Sequence, residues 1–248
     1  MCIRDSFLLP LLATARVGFS APGHVVSLKA LRGVTAQPRF STTLWLSVKL
    51  ALATTVASLV LMVPTLVWLH LRAPRWRSAV ELVSVLPYVV PPIAMVAGVT
   101  KAFHTFLTQV VTTDYGLVPV YVVLAVPFTY RSLDAGLRAI DLRTLTEAAR
   151  NLGATGPRSL VSVILPNIAT AVLGAAFLTI AVVLGEYTIA SLLLRDTFPI
   201  FLAQVGGNEP RGAPALALLA IAFTWALLGL VALASRRRRG AFTSAAAP

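Results

Sequence analysis

The sequence predicts an all-α, polytopic membrane protein, and its composition and apolar runs support this class. Of its 248 residues, 57% are hydrophobic and only 12% are charged, whereas soluble domains carry about 25% charged residues. Long apolar runs recur at lengths close to the ~20 residues that a membrane-spanning helix needs. They do not alternate polar and apolar residues as membrane β-strands do. We therefore expect a bundle of about six transmembrane helices, the first of them truncated.

Cysteine, histidine and charge content disfavour several classes of function. Cys2 is the single cysteine, so the chain has no disulfide or cysteine-based metal framework. The three histidines and nine acidic residues are scattered, so we expect no catalytic residue, no metal ion and no cofactor. The net charge of +12 comes from basic residues at the ends of apolar runs. That pattern orients membrane helices and predicts no nucleic-acid partner.

The beginning of the chain does not contain a complete membrane span. Residues 1–6, MCIRDS, are interpreted as a non-native N-terminal scar. Residues 7–40 are interpreted as the remnant of a first helix followed by an outer loop. A cleavable signal peptide is the alternative, but the short apolar core after Arg4 fits that pattern poorly.

Residues 41–235 form the predicted transmembrane core. Its first complete span covers residues 41–71, with Trp45 and Trp68 placed as interfacial aromatic residues. Prolines interrupt the second span, so it must pack against neighbouring protein. The later spans are predicted at residues 79–99, 117–130, 167–194 and 214–234, with a loop or interfacial turn at 101–116 and a loop at 195–212.

Basic residues are divided unevenly between the two sides of the membrane that this order of spans implies. The turn 72–77, the loop 131–166 and the basic tail 236–248 share one side and carry twelve basic residues, against seven in the opposite loops. Cytoplasmic loops are enriched in lysine and arginine. We therefore expect the loop 131–166 and the C-terminus to face the cytosol.

The polar interval 141–166 has the pattern of two short helices joined by a turn. Asp141 is the predicted N-cap of the first helix, and Gly153 is its predicted left-handed C-terminal residue. Thr155 and Pro157 predict the start of the second helix. A single apolar stripe is predicted from residues at helical spacing, namely Leu142, Leu145, Ala148, Ala149 and Leu152.

The spacing in this interval resembles the EAA loop of binding-protein-dependent ABC importer permeases. An EAA triplet is followed after three residues by glycine, and after nine more by a V-I-L-P segment, where the family has isoleucine at the valine position. A helix lying on the membrane surface is the alternative, but two of its five stripe residues are alanine and none is phenylalanine or tryptophan. The motif residues are Glu147, Ala148, Ala149, Gly153, Leu165 and Pro166.

This resemblance covers about residues 7–235 and implies the fold of a type I, MetI-like importer permease. It implies that these six motif residues couple the protein to a separate ABC ATPase, because the sequence has no GxxxxGK[ST] phosphate loop. Glu147 would pair with an arginine of the ATPase or, alternatively, with Arg143 or Arg150 on its own helix. The resemblance also implies a second permease subunit, identical or different, a periplasmic or extracellular solute-binding protein, and a bacterial inner membrane.

Glu186 lies in the apolar segment VLGEYTIASLL, and a carboxylate inside a membrane usually faces a cavity or a partner. Glu186, Tyr187 and Thr188 are therefore the candidate residues of the solute pathway, with helix–helix hydrogen bonding as the alternative role of Glu186. The overall pattern looks most like the polyamine branch (spermidine and putrescine), followed by importers of iron, thiamine, phosphonate or oxyanions. An ion-gradient-driven secondary transporter is the competing function, but one deep acid and no clear internal repeat disfavour it.

Overall fold

The computed structural model describes residues 9–10, 12–17, 29–106, 113–208, 214–222 and 225. Within these ranges the regular elements are helices and no strand is present, which confirms the predicted all-α class. The proposed scar at residues 1–6 and the basic tail at 236–248 lie outside the described residues. The chain forms two compact units, Met1–Ser47 with Leu194–Pro248, and Val48–Leu193.

The helices follow one another with short connections. Short 3₁₀ turns at Pro74–Trp76 and Asp114–Gly116 precede the third and fifth helices, and residues 214–222 are also helical. In chain order the helices are α1 (Lys29–Thr35), α2 (Pro38–Arg72), α3 (Arg77–Val89), α4 (Pro92–Phe106), α5 (Leu117–Arg138), α6 (Leu142–Asn151), α7 (Gly156–Asn167), α8 (Ala169–Gly185), α9 (Thr188–Leu192) and α10 (Phe198–Asn208).

Helices α2 and α5 are each long and apolar enough to cross a membrane. Helix α2 contains 35 residues and continues through Pro64. Trp45 and Trp68 are both exposed on it. Their separation along the axis is roughly 34 Å at 1.5 Å per residue, close to the ~30 Å thickness of a bilayer core. This spacing agrees with the interfacial placement predicted for the two tryptophans.

Two other apolar segments are divided by sharp bends. Helices α3 and α4 meet at 98°, at a break where Pro91 and Pro92 cannot donate backbone hydrogen bonds. Helices α7 and α8 meet at 83° around Ile168, and α8 ends before Glu186. The prediction of one continuous span over residues 167–194 is therefore wrong. The described residues contain two candidate spans, or four if each bent pair counts as one.

Helical structure also occurs where loops were predicted. Helix α1 and the start of α2 fall within residues 7–40, α4 continues to Phe106 within 101–116, and α10 occupies much of 195–212. The local glycine and proline signals therefore did not exclude helices at these positions, and the placement of the three segments outside the membrane stays a prediction. In the first compact unit, α1, α10 and residues 214–222 contribute one buried cluster, consisting of Val34, Phe201, Val205 and Leu216.

Helices α5 and α8 pack through small residues. A methyl group at Gly136 would collide with the Cβ of Ala171, and one at Gly174 would lie 2.9 Å from the Ser132 hydroxyl. That hydroxyl donates to the Ala171 carbonyl at 2.8 Å. Small residues allow the backbones of membrane helices to approach closely. This seam therefore holds the first turns of α8 beside the last turns of α5.

Candidate functional site

Helix α6 begins at the residue that its sequence identifies. The Asp141 carboxylate accepts hydrogen bonds from the Thr144 hydroxyl at 2.8 Å and from the Thr144 amide at 3.1 Å. Asp141 is therefore the N-cap of α6. The two bonds stabilise the carboxylate, so they lower the pKa of Asp141 below its usual value.

Helix α6 ends in the turn predicted at Gly153. This glycine has a φ of +81°, a conformation in which a Cβ atom is strained. Its N–H donates to the Arg150 carbonyl at 2.9 Å, and the N–H of Ala154 donates to the Ala149 carbonyl at 2.9 Å. These two bonds form a Schellman motif, which fixes the direction in which the chain leaves α6.

The apolar residues of α6 divide between two faces, which corrects the prediction of a single stripe. Leu142, Thr146 and Ala149 are buried, whereas Ala148 is exposed and Leu152 is 89% exposed. Thr146 can occupy the buried face because its hydroxyl donates to the Leu142 carbonyl at 2.7 Å. The two motif alanines therefore have different surroundings: Ala149 packs within the chain and Ala148 faces outward.

The exposed face of α6 also carries an ion pair. The Arg143 Nε lies 3.1 Å from the Glu147 carboxylate, with the two side chains 85% and 62% exposed. This is the intrahelical pairing that the sequence offered as the alternative role of Glu147. Exposed helical pairs contribute only about 0.3–0.5 kcal/mol, so Glu147 can exchange this partner for another at little cost.

Helix α6 packs against the hydrophobic core of the Val48–Leu193 unit. Leu142 of α6 and Ile164 of α7 belong to one buried cluster with Leu69 of α2 and Leu137 of α5. Leu165 packs against the same cluster and is partly buried. Buried side chains are close-packed and transmit displacement. Helix α6 is therefore packed directly against the ends of α2 and α5.

The second part of the motif lies at a bend. The chain adopts a π-helical turn over Leu160–Ile164, just before Pro166. Proline has no N–H, so it cannot form the regular helical bond to Ser162. The helix axis then turns at Ile168 into α8. Leu165 and Pro166 thus lie where α7, which follows α6, joins α8.

Glu186 occupies the break between α8 and α9. Its carboxylate accepts hydrogen bonds from the N–H groups of Ile189 at 2.8 Å and Ala190 at 3.2 Å. The Tyr121 hydroxyl of α5 donates to it at 3.3 Å. Tyr121 was not singled out from the sequence, and a buried tyrosine within a spanning segment is the signal that could have identified it. The structure therefore gives Glu186 the helix–helix bond expected as its alternative role.

The two other pathway candidates lie on the exposed side of the same break. Tyr187 is 48% exposed, and Thr188 is exposed as well. Helix α9 packs against α4, and Tyr88 near the end of α3 lies within electrostatic range of Glu186. The break between α8 and α9 therefore lies close to α4 and to the end of α3. Irregular backbone at membrane depth is tolerated where protein buries it or a water-filled cavity adjoins it.

Sequence analysis also missed a cluster of charged side chains at the ends of α2 and α5. Asp134 Oδ2 lies 2.7 Å from Arg138 Nε, and Asp134 Oδ1 lies 3.0 Å from His70 Nε2. The His70 contact has the distance but not the orientation of a hydrogen bond, so it is a close polar contact. Asp134 is a buried acid. Its position in an apolar helix is the sequence signal that could have identified this cluster.

Comparisons with known proteins agree with this architecture. Residues 51–238 match the family described as "Binding-protein-dependent transport system inner membrane component". The chain is also 29% identical over 182 residues to the "Probable ABC transporter permease protein y4fN" of Sinorhizobium fredii, a match that covers 71% of this chain and 31% of that relative. The chain thus spans less than a third of the relative's length. Because the family match covers most of the chain, the protein belongs to the family of binding-protein-dependent transport system inner membrane components, which are membrane transport permeases rather than enzymes.

Proposed function

We propose that this chain is the permease subunit of an ATP-driven ABC importer and that α6 is its coupling helix. The exposed face of α6 is the observation that carries the proposal. Ala148 lets another backbone approach closely, Leu152 offers apolar area, and Glu147 can accept an arginine from the partner. These three residues stand together at one surface, whereas Leu142 anchors the opposite side of the helix.

The energy for transport would enter through this surface. ATP must be bound by a separate ATPase because the sequence lacks a phosphate loop. Movement of that subunit would displace α6, and the buried cluster that contains Leu142 and Ile164 would pass the displacement to α2 and α5. In this mechanism Ala149 and Gly153 set the docking angle, and Leu165 and Pro166 connect the hairpin to α8.

The solute pathway is proposed to pass the break between α8 and α9 at Glu186, with Tyr187 and Thr188 as further lining residues. The Glu186 carboxylate would attract a cationic solute, and polyamines such as spermidine and putrescine are the class we favour. Iron, thiamine, phosphonate and oxyanions are the alternative classes of solute. A solute-binding protein would deliver the solute to the outer side, and a second permease subunit would complete the pathway.

Purification of the full chain from its native membrane tests the importer proposal. We expect an ABC ATPase subunit to copurify, and its ATP hydrolysis to rise when the loaded solute-binding protein is added. Calorimetric screening of that binding protein against the solute classes above would identify the cargo. Uptake that follows a proton or sodium gradient without any ATPase would replace this proposal with a secondary transporter.

The proposed topology is tested by labelling single introduced cysteines after Cys2 is replaced by serine. Asn151→Cys lies on exposed α6 and Tyr115→Cys on the exposed turn before α5. Helix α5 separates the two positions, so they should be labelled from opposite sides of the membrane. Labelling of Asn151→Cys from the cytosolic side alone supports the proposed orientation, and labelling from the outer side alone refutes it.

A further inference from the structure

A cavity of about 380 Å³ opens in the Val48–Leu193 unit, where residues of α2, α3, α5 and α6 come together. Three arginines line it, Arg77, Arg138 and Arg143, against one carboxylate, that of Asp141. Pockets of this size hold small ligands or head groups. The excess of arginine makes an anion the favoured guest.

Two of the three arginines already have carboxylate partners. Arg138 pairs with Asp134 at 2.7 Å, and Arg143 pairs with Glu147 at 3.1 Å. The Asp141 carboxylate is engaged by the first turn of its own helix. Arg77 is therefore the cavity arginine that has no carboxylate partner among the described residues.

Arg77 has no such partner. No ion pair in the described part of the chain includes it, and its Nε is buried without a hydrogen-bond partner. Arg77 itself is partly buried, and a guanidinium N–H that is buried without a hydrogen-bond partner is costly. Guanidinium N–H groups match the oxygens of a phosphate in paired geometry. The orphaned donor therefore indicates a phosphate-bearing ligand.

The rest of the wall indicates what carries the phosphate. Leu71, Leu137 and Ile140 line the cavity beside the arginines. Trp68 and Trp76, near the same end of α2, are 60% and 56% exposed. Exposed tryptophans of this kind lie at the membrane interface. The cavity thus combines a basic site with an apolar wall at head-group depth, where pockets between membrane helices bind anionic lipids.

We propose that this cavity binds the phosphate group of an anionic phospholipid, with Arg77 as the principal donor. Soluble phosphate offers the same chemistry but would leave the apolar wall uncovered. An occupied site would also steady the base of α6, because Leu142 and Arg143 line the same cavity. The site requires neither an ATPase nor a transported solute, so it can be tested on the full chain alone.

The full chain is reconstituted in phosphatidylcholine nanodiscs with and without phosphatidylglycerol, and retained lipid is measured by native mass spectrometry. The variants are Arg77→Gln and the matched control Arg75→Gln, which is exposed in the same turn and does not line the cavity. We expect Arg77→Gln to lower phosphatidylglycerol retention about tenfold, the effect of one lost charge-assisted contact. Arg75→Gln should change it by less than about twofold.

Thermal unfolding first establishes that each variant is folded. If Arg77→Gln is not folded, Arg77→Lys replaces it; a lysine keeps the charge without the paired geometry and should still weaken retention. Equal retention by the wild type and a folded Arg77 variant overturns the proposal. Stabilisation by inorganic phosphate in phosphatidylcholine discs, lost in Arg77→Gln, supports the phosphate site but overturns the lipid as its source. If Arg77→Gln leaves lipid retention unchanged but no longer copurifies with an ATPase, the lipid proposal is also overturned. The cavity would then be a contact site for that protein.

Discussion

The Tyr121 hydroxyl lies 3.3 Å from the Glu186 carboxylate and joins α5 to the break after α8. The same carboxylate accepts the N–H groups of Ile189 and Ala190. Glu186 therefore stabilises the start of α9 in addition to the role proposed for it in the solute pathway. Stability and uptake can be separated by the choice of substitution.

Glu186→Ala should destabilise the protein because it removes the acceptor for three donors. We expect a loss of about 1–3 kcal/mol in the free energy of unfolding, measured in detergent. Tyr121→Phe removes one donor only and should cost about 0.5–1.5 kcal/mol. Glu186→Gln keeps an acceptor oxygen, so its loss should be smaller than that of the alanine variant.

The Glu186→Gln variant tests whether uptake requires the negative charge of Glu186. If the Glu186 carboxylate acts on a cationic solute, Glu186→Gln should raise the KM for uptake while leaving most of the stability. Unchanged uptake kinetics in this variant would restrict Glu186 to the structural role. An alanine variant as stable as the wild type would remove that structural role.

The seam between α5 and α8 predicts sensitivity to a single methyl group. Gly136→Ala would press its Cβ against Ala171 and should lower the free energy of unfolding by about 1–3 kcal/mol. Gly98→Ala in α4 is the matched control because nothing lies within 4 Å of its added methyl. That variant should be neutral or slightly stabilising, since alanine favours helices. Equal thermal unfolding of the two variants would contradict the close approach.

These two regions show why the sequence predicted local features better than tertiary ones. The N-cap at Asp141 and the turn at Gly153 depend on hydrogen bonds within a few residues, so the local pattern predicted both correctly. The Gly136 seam and the Tyr121–Glu186 bond join segments that are distant in the chain, and no local pattern contains them. Apolar runs likewise located α2 and α5, the two helices in the described part of the chain that are each long and apolar enough to cross a membrane.

The remaining errors have the same cause. Hydropathy does not distinguish a continuous span from one that turns sharply, so the bend at Ile168 required the structure, whereas the prolines had already predicted an interruption of the second span. The α6 stripe was predicted from residue type and helical spacing, whereas burial depends on which neighbours face each position. Thr146 is buried because its hydroxyl bonds within α6, and Leu152 is exposed.

The Asp141 cap predicts that the start of α6 loosens in acid. The hydrogen bonds from Thr144 lower the pKa of Asp141 in the folded protein, so the stabilisation is fully present above the unfolded-state pKa. It is lost as the pH falls through the folded-state pKa. Hydrogen exchange at the Thr144 amide should therefore accelerate on acidification. Asp141→Asn caps without a charge and should remove this dependence; an unchanged pH profile in that variant would contradict the assignment.

The left-handed turn predicts that substitution of Gly153 lowers stability, whereas substitution of the nearby Gly156 does not. Gly153→Ala should cost about 1–2 kcal/mol because its φ is unfavourable for any residue with a Cβ. Gly156→Ala, which meets open space and starts α7, should change stability by less than about 0.5 kcal/mol. Gly153→Val should additionally abolish transport-coupled ATP hydrolysis if the turn sets the docking angle. Wild-type uptake by that variant would show that the angle is not critical.

Charge reversal at Glu147 tests the coupling surface most directly. Glu147→Lys leaves the buried residues Leu142 and Ala149 unchanged, and the lost pair with Arg143 is worth only about 0.3–0.5 kcal/mol, so insertion and folding should be retained. Transport-coupled ATP hydrolysis should nevertheless be abolished if an ATPase arginine pairs with Glu147. Arg158→Glu, an exposed charge reversal on α7, is the control and should preserve uptake. Full uptake by Glu147→Lys at wild-type abundance would show that this carboxylate does not contact the ATPase.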